Sequence, residues 1–122
     1  MKRDCIIITV PEKFFREYPG GESQFKEIMN RVDQGLTTWG QTISGIPKQE
    51  VQFVYLCYRG KIQLRLTLLN FEKNCSKSFG DGGIIRNFRN KNWANLCGPV
   101  VWAERDFPQR GFQGFRYTEF LF

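Results

Sequence analysis

The chain contains no histidine. That removes the side chain used most often for general acid–base work and the commonest nitrogen ligand of metals. Four cysteines are present, Cys5, Cys57, Cys75 and Cys97, and none stands in a C-x-x-C pair. A zinc site of the usual Cys/His type needs close ligand pairs, so no metal and no cofactor is expected. A catalytic thiolate would lack its usual activating base. No apolar run approaches the roughly 20 residues of a membrane-spanning helix. The start, "MKRDCIIITVPEK", carries a short apolar run with Asp4 in front and Pro11-Glu12-Lys13 behind, where a signal peptide would place small residues. The expectation is a cytoplasmic protein with no membrane partner.

What is present is aromatic and basic. The chain has 122 residues, most simply one domain spanning 1–122, with 41% apolar and 25% charged residues, a composition that folds. Aromatics reach 16%, with 12 Phe, which points to a ring-packed core. Residues 1–58 hold seven Lys/Arg against seven Asp/Glu, whereas residues 59–122 hold eleven against five, so the whole excess of six lies in the second half. A one-sided basic half accompanied by rings indicates a polyanion, nucleic acid first. An excess of this size also serves solubility alone.

"CIIITV" (Cys5–Val10) reads as a strand buried on both faces and ended by Pro11. "EKFFREY" is a short helical turn and "YPGG" (Tyr18–Gly21) a breaker. Phe25, Ile28, Met29, Val32 and Leu36 form the apolar stripe of a helix, with Ser23 able to cap it and Gly35 able to end it. "TTWGQTISGIPKQ" (Thr37–Gln49) reads as a loop with one exposed ring, Trp39. "EVQFVYLCY" and "KIQLRLTLLNFE" flank Arg59-Gly60 as a β-hairpin whose first arm is central. Ile62, Leu64, Leu66 and Leu68 are expected on one face of the second arm, and Lys61, Gln63, Arg65 and Thr67 on the other. "KNCSKSFGDGG" (Lys73–Gly83) reads as a polar loop. Strands follow in "GPVVWAERDF" and "FRYTEFLF". The fold class is α+β: a small twisted sheet or pseudo-barrel of about five to six strands with one main flanking helix.

Several segments could carry binding. "IIRNFRNKNW" (Ile84–Trp93) sets Arg86, Arg89 and Lys91 beside Phe88 and Trp93, cations for phosphates and rings for bases. The same residues would also serve as a polar connection anchored by its rings. Lys61 and Arg65 would line a phosphate backbone, or form the solvated face of a half-buried strand. "PQRGFQGFRYTEF" (Pro108–Phe120) interleaves rings with Arg110 and Arg116. There Phe115 and Tyr117 are expected to close the core, and Phe112 to stay in a loop. "GDGG" (Gly80–Gly83) lacks P-loop spacing and reads as a loop. Glu104 and Asp106 read as ion-pair partners of neighbouring cations. No nucleophile elbow or metal triad appears, so a binding protein is expected and no catalytic residue is assigned.

"VQFVYLCYRGKIQLRLTLLNF", "NWANLCGPVVWAE" and "GFQGFRYTEF" occur in an order that resembles the PUA-like superfamily, which includes the PUA, ASCH and EVE domains. The resemblance covers Cys5 and Val51–Phe122. It implies a small pseudo-barrel binding RNA or a modified base in a cleft, with Trp39, Trp93, Phe112, Arg110 and Arg116 at the site and Lys61 and Arg65 at its flank. The ASCH signature G-x-K-x-x-E-x-R is missing, so no catalytic residue carries across. A second class fits the same composition: a phage-type inhibitor, anti-CRISPR or otherwise anti-defence, that uses a basic rim against a nucleic-acid-handling enzyme or its guide RNA.

Overall fold

The computed structural model describes residues 4–17, 20–79 and 84–122. Its elements, in chain order, are β1 (Cys5–Thr9), α1 (Glu12–Glu17), α2 (Gly21–Asp33), β2 (Trp39–Ile43), β3 (Phe53–Tyr58), β4 (Lys61–Lys73), β5 (Ser76–Phe79), β6 (Ile84–Asn87), β7 (Asn92–Trp102) and β8 (Phe115–Thr118). Six strands make one curled half-barrel sheet in the order β2-β7-β4-β3-β1-β8, and β5 pairs with β6 in a separate two-stranded ribbon. The chain is thus a small, sheet-dominated α+β fold. Its helices are the main one expected and, at Glu12–Glu17, the short turn expected of "EKFFREY", while a strand stands where "KNCSKSF" read as loop. Gly80–Gly83 lies outside the described residues.

The hairpin forms as its sequence dictates. Arg59 and Gly60 both take positive φ, 54° and 82°, the conformation of a tight turn whose twist matches the flanking strands. β3 is central, antiparallel to β4 and parallel to β1. β1 is buried on both faces: Ile6 and Ile8 enter the inner cluster, Cys5 and Ile7 the outer one.

The inner face is filled from the helices. Phe25, Met29 and Val32 of α2 are fully buried. Phe25 meets Trp39 edge to face at 5.2 Å and Tyr58 at 5.2 Å, while Phe15 approaches Tyr58 at 5.0 Å. Trp39, expected as an exposed loop ring, is a β2 residue with 7% of its surface exposed. Leu36, expected in the helical stripe, is 65% exposed. The helix ends one turn earlier, where Gly35 at φ 76° lets its own N–H reach Val32 O and the Leu36 N–H reach Arg31 O. At the other end Gly20 occupies the cap with no side-chain bond, so Ser23 does not cap it.

β4 departs from the expected alternation. Leu56 pairs with Leu64 but Cys57 pairs with Ile62, so Gln63 is an extra residue. The bulge reverses the faces: Leu64 and Leu66 point to the inner cluster and Ile62 to the outer. Lys61, Gln63 and Arg65 therefore form no continuous row. A second irregularity leaves Leu69 between paired Leu68 and Asn70, and β7 loops out between Cys97 and Val101. There Gly98 lies against the end of α2, where a Cβ would come within 2.8 Å of Val32 O and 3.2 Å of Asp33 Cα. Asp33 Oδ1 accepts the Val100 N–H at 2.8 Å beside it.

Side chains tie the β2 side of the sheet to its β1–β8 side. Gln41 of β2 donates to Thr9 O of β1 at 3.1 Å and accepts from Trp39 Nε1 at 3.0 Å. Tyr117 of β8 accepts the Gln49 N–H at 3.2 Å. Among the described residues, no helix is long and apolar enough to cross a membrane.

Gly98→Ala should unfold at lower denaturant concentration than the native chain, by about 1–3 kcal/mol, because backbone on both sides must move. Gly111→Ala, whose Cβ would meet only Thr9 Cγ2 at 3.5 Å, should stay within about 0.5 kcal/mol. Equal chemical-denaturation midpoints for the two variants would refute the helix–bulge contact.

Candidate nucleic-acid interface

The β5–β6 ribbon stands off the main sheet as a basic arm. Residues 73–93 contain five Lys/Arg and one acidic residue, Asp81, together with Asn74, Asn87, Asn90 and Asn92. The arm is rooted by backbone bonds from Phe88 N to Cys75 O at 2.8 Å and from Asn74 N to Lys91 O at 3.1 Å. Asn74 and Asn90 hold left-handed conformations, φ 53° and 59°, which asparagine tolerates better than most residues. Asn74 Oδ1 accepts the Asn90 N–H at 2.6 Å, and Ser76 Oγ lies 2.6 Å from Asn87 Oδ1. A cavity of about 480 Å³ opens between Asn74, Cys75, Ser76, Asn87 and Arg89. Arg86, Arg89 and Lys91 are exposed.

Lys77 fixes the arm to the sheet. Its Nζ meets Glu72 Oε2 at 2.6 Å and Asn95 Oδ1 at 3.4 Å, and lies 5.6 Å from the Trp93 ring centre. The Lys77 hydrogen bond holds the Glu72 carboxyl below its ordinary value. Trp93 donates to Asn95 Oδ1 at 3.0 Å and packs against Phe88 at 4.6 Å. A Cβ on Gly40 would come 2.5 Å from the same ring, so a glycine in β2 makes room for it. With 5% of its surface exposed, Trp93 anchors the arm and leaves no open face for a base. Trp39 is excluded for the same reason.

The other expected residues lie elsewhere. Lys61 makes an exposed pair with Asp106 at 3.4 Å, as expected of that carboxylate, at the mouth of a cavity of about 150 Å³ lined by Gln63, Trp102 and Arg105. Such a surface pair is weak and leaves Lys61 able to meet a phosphate. Arg110 is exposed just after Gln109, whose N–H reaches Gly60 O of the hairpin turn at 2.9 Å, and Arg116 is exposed on β8. Arg116 lies 4.4 Å over the Phe112 ring, and Phe112 packs on the outer apolar cluster. Phe115 and Tyr117 pack against the inner cluster, the core role expected of them.

Arg65 is engaged more deeply. Its guanidinium lies 4.6 Å from the Phe53 ring and 5.0 Å from Phe120, and donates to Phe122 O. Beside it the buried Tyr55 hydroxyl accepts the Leu121 and Phe122 N–H groups at 2.8 and 3.2 Å and donates to Phe122 O at 3.2 Å. One hydroxyl thus uses its donor and both lone pairs to pin the segment after β8 across the outer face. Sequence reasoning missed this pinning and the exposed ring it presents, Phe120. A lone tyrosine inside an apolar strand gives no hint of where its hydroxyl goes.

The expected site residues therefore do not share one cleft. Arg86, Arg89 and Lys91 gather on the arm, Lys61 and Arg110 by the hairpin end, where Pro108 bridges to Lys61 and Gln109 to Gly60, Arg116 on β8, and Arg65 under Phe120. No protein-family model, no curated protein and no solved structure matches this chain.

Burial pushes the Cys5 thiol up to about 11, assisted by the neighbouring Asp4, and burial raises Cys57 as well. Raised values mean less thiolate, hence slower alkylation at about pH 8. Burial raises Cys75 as well, so access decides the order: half-buried Cys75 and Cys97 should label with a maleimide first, and Cys5 and Cys57 only on unfolding, as read by peptide mass spectrometry. Early labelling of Cys57 would show that the Thr9, Phe112 and Arg116 cover opens. Phe112→Ala should also lower stability by about 1.5–3 kcal/mol, since its ring covers apolar surface; an unchanged melting temperature would contradict that packing.

Proposed function

We propose that this chain is a nucleic-acid-binding protein, RNA before DNA, that meets the phosphate backbone through the β5–β6 arm. The observation that carries the reading is the exposed set Arg86, Arg89 and Lys91 on an arm with a single acidic residue by sequence, with Arg89 lining a polar cavity at its root. A guanidinium beside amides and a hydroxyl fits phosphate and sugar oxygens. Lys61, Arg110 and Arg116 are further exposed cations, set apart from the arm. The curled half-barrel is compatible with the PUA-like affiliation, which carries the same expectation of RNA. No catalytic step is assigned.

Changing Arg86, Arg89 and Lys91 together to Ala should weaken binding of labelled RNA or DNA. The slope of log affinity against log salt should flatten by about two to three units, with the melting temperature nearly unchanged. An unchanged slope would remove the arm from the interface. Absence of any nucleic-acid binding, with a protein captured on the same cations, would favour the inhibitor class instead.

A further inference from the structure

Phe120 is a large apolar side chain with 58% of its surface exposed, in a segment held at its next two backbone N–H groups by a buried hydroxyl. One side of the ring is already occupied. Phe53 meets it at 5.8 Å and an interplanar angle of 63°, and the Arg65 guanidinium lies against both rings. An exposed ring that floated freely would lose conformational freedom on binding, and this one has little left to lose.

Outer-face partners connect that ring to the arm. Arg65 pairs with Val101, Thr67 with Cys97, Asn70 with Asn95 and Glu72 with Trp93, and each pair shares a face of the sheet. Asn95 and Asn70 are joined at 2.7 Å, and Asn95 also meets Lys77 at the arm's root. From Arg65 to Lys73 the strand covers about 25 Å. A strand of several nucleotides can touch both ends.

We infer that Phe120 is a base-stacking platform for single-stranded nucleic acid, whose backbone runs along β4 and β7 to the arm; the inference rests on the nucleic-acid reading above. Bases of a duplex are already stacked on one another and offer no free face to the ring, so the ligand is unpaired.

The test is fluorescence anisotropy with end-labelled oligouridylate and oligothymidylate of about 15 nucleotides, and with a duplex of equal length. The native chain should bind the single strands more tightly than the duplex, and the two oligomers separate RNA from DNA. Phe120→Leu should weaken single-strand binding about 5- to 150-fold with an unchanged salt slope. Phe120→Trp should retain binding, and its added indole fluorescence should be quenched by the oligomer. If the Leu variant fails to fold, quenching of the Trp variant decides alone. Native affinity in a folded Phe120→Leu, or an unquenched added indole in Phe120→Trp, overturns the platform while the arm's salt dependence leaves the nucleic-acid reading standing. A native chain that binds none of the probes removes both.

Discussion

The curl of the sheet depends on the ladder being broken in β4 and β7. A flat six-stranded sheet would present one inner face too wide for a 13-residue helix and a short companion to cover. The extra residues at Gln63 and Leu69, and the loop of β7 between Cys97 and Val101, bend the strands around that helix. Gly98 is where the bend meets α2, and the contact is backbone on backbone. Once curled, the edges come near enough for Gln41 to reach Thr9 O, which ties an edge strand to a partner that no backbone ladder provides.

The same bulge creates the second problem that the fold solves. By turning Ile62 outward it adds to Cys5, Ile7, Tyr55 and Cys57 an apolar patch on the face away from the helices. That patch is covered without another sheet or helix, by Phe107, Phe112, Leu121 and Phe122 from irregular segments. Irregular chain lying on a sheet must have its polar groups satisfied, and the Tyr55 hydroxyl with Arg65 does this for Leu121 and Phe122. Covering the patch sets Phe120 at the rim, facing solvent. The position of the exposed ring is thus a consequence of outer-face packing.

Local rules sufficed wherever a signal was confined to one element. The five-residue β-branched run, the Arg59-Gly60 turn and the Phe25–Val32 stripe each specify their own conformation, and Phe115 with Tyr117 share a face because strand residues repeat in twos. What remained hidden depends on partners distant in sequence. Nothing near Gln63 announces a bulge, because the mismatch arises from the pairing with β3. Trp39 looks like a loop ring because "TTWGQT" is polar, yet its neighbours are Phe14 and Phe25 across the core. Gly40 carries no local mark of its role, which is to admit the Trp93 ring. For the candidate site, the cations of the arm were legible as a cluster, but Phe120 was not, since its exposure is set by Tyr55 and Arg65.

Rings and cations, interleaved along the sequence, are sorted by the sheet into different tasks. Trp39 and Phe25 fill the inner face, Trp93 mounts the arm, and Phe112 lies beneath Arg116. Arg65 commits its charge to Phe53, Phe120 and a carbonyl, so its loss would disturb packing before it disturbed any long-range field. Arg86, Arg89 and Lys91 have the opposite character: exposed, on a ribbon outside the main sheet, and governing little of the core. That separation leaves exposed charge on the arm and an exposed ring at the Phe120 rim, with the Asn70–Asn95 pair and Lys77 between them.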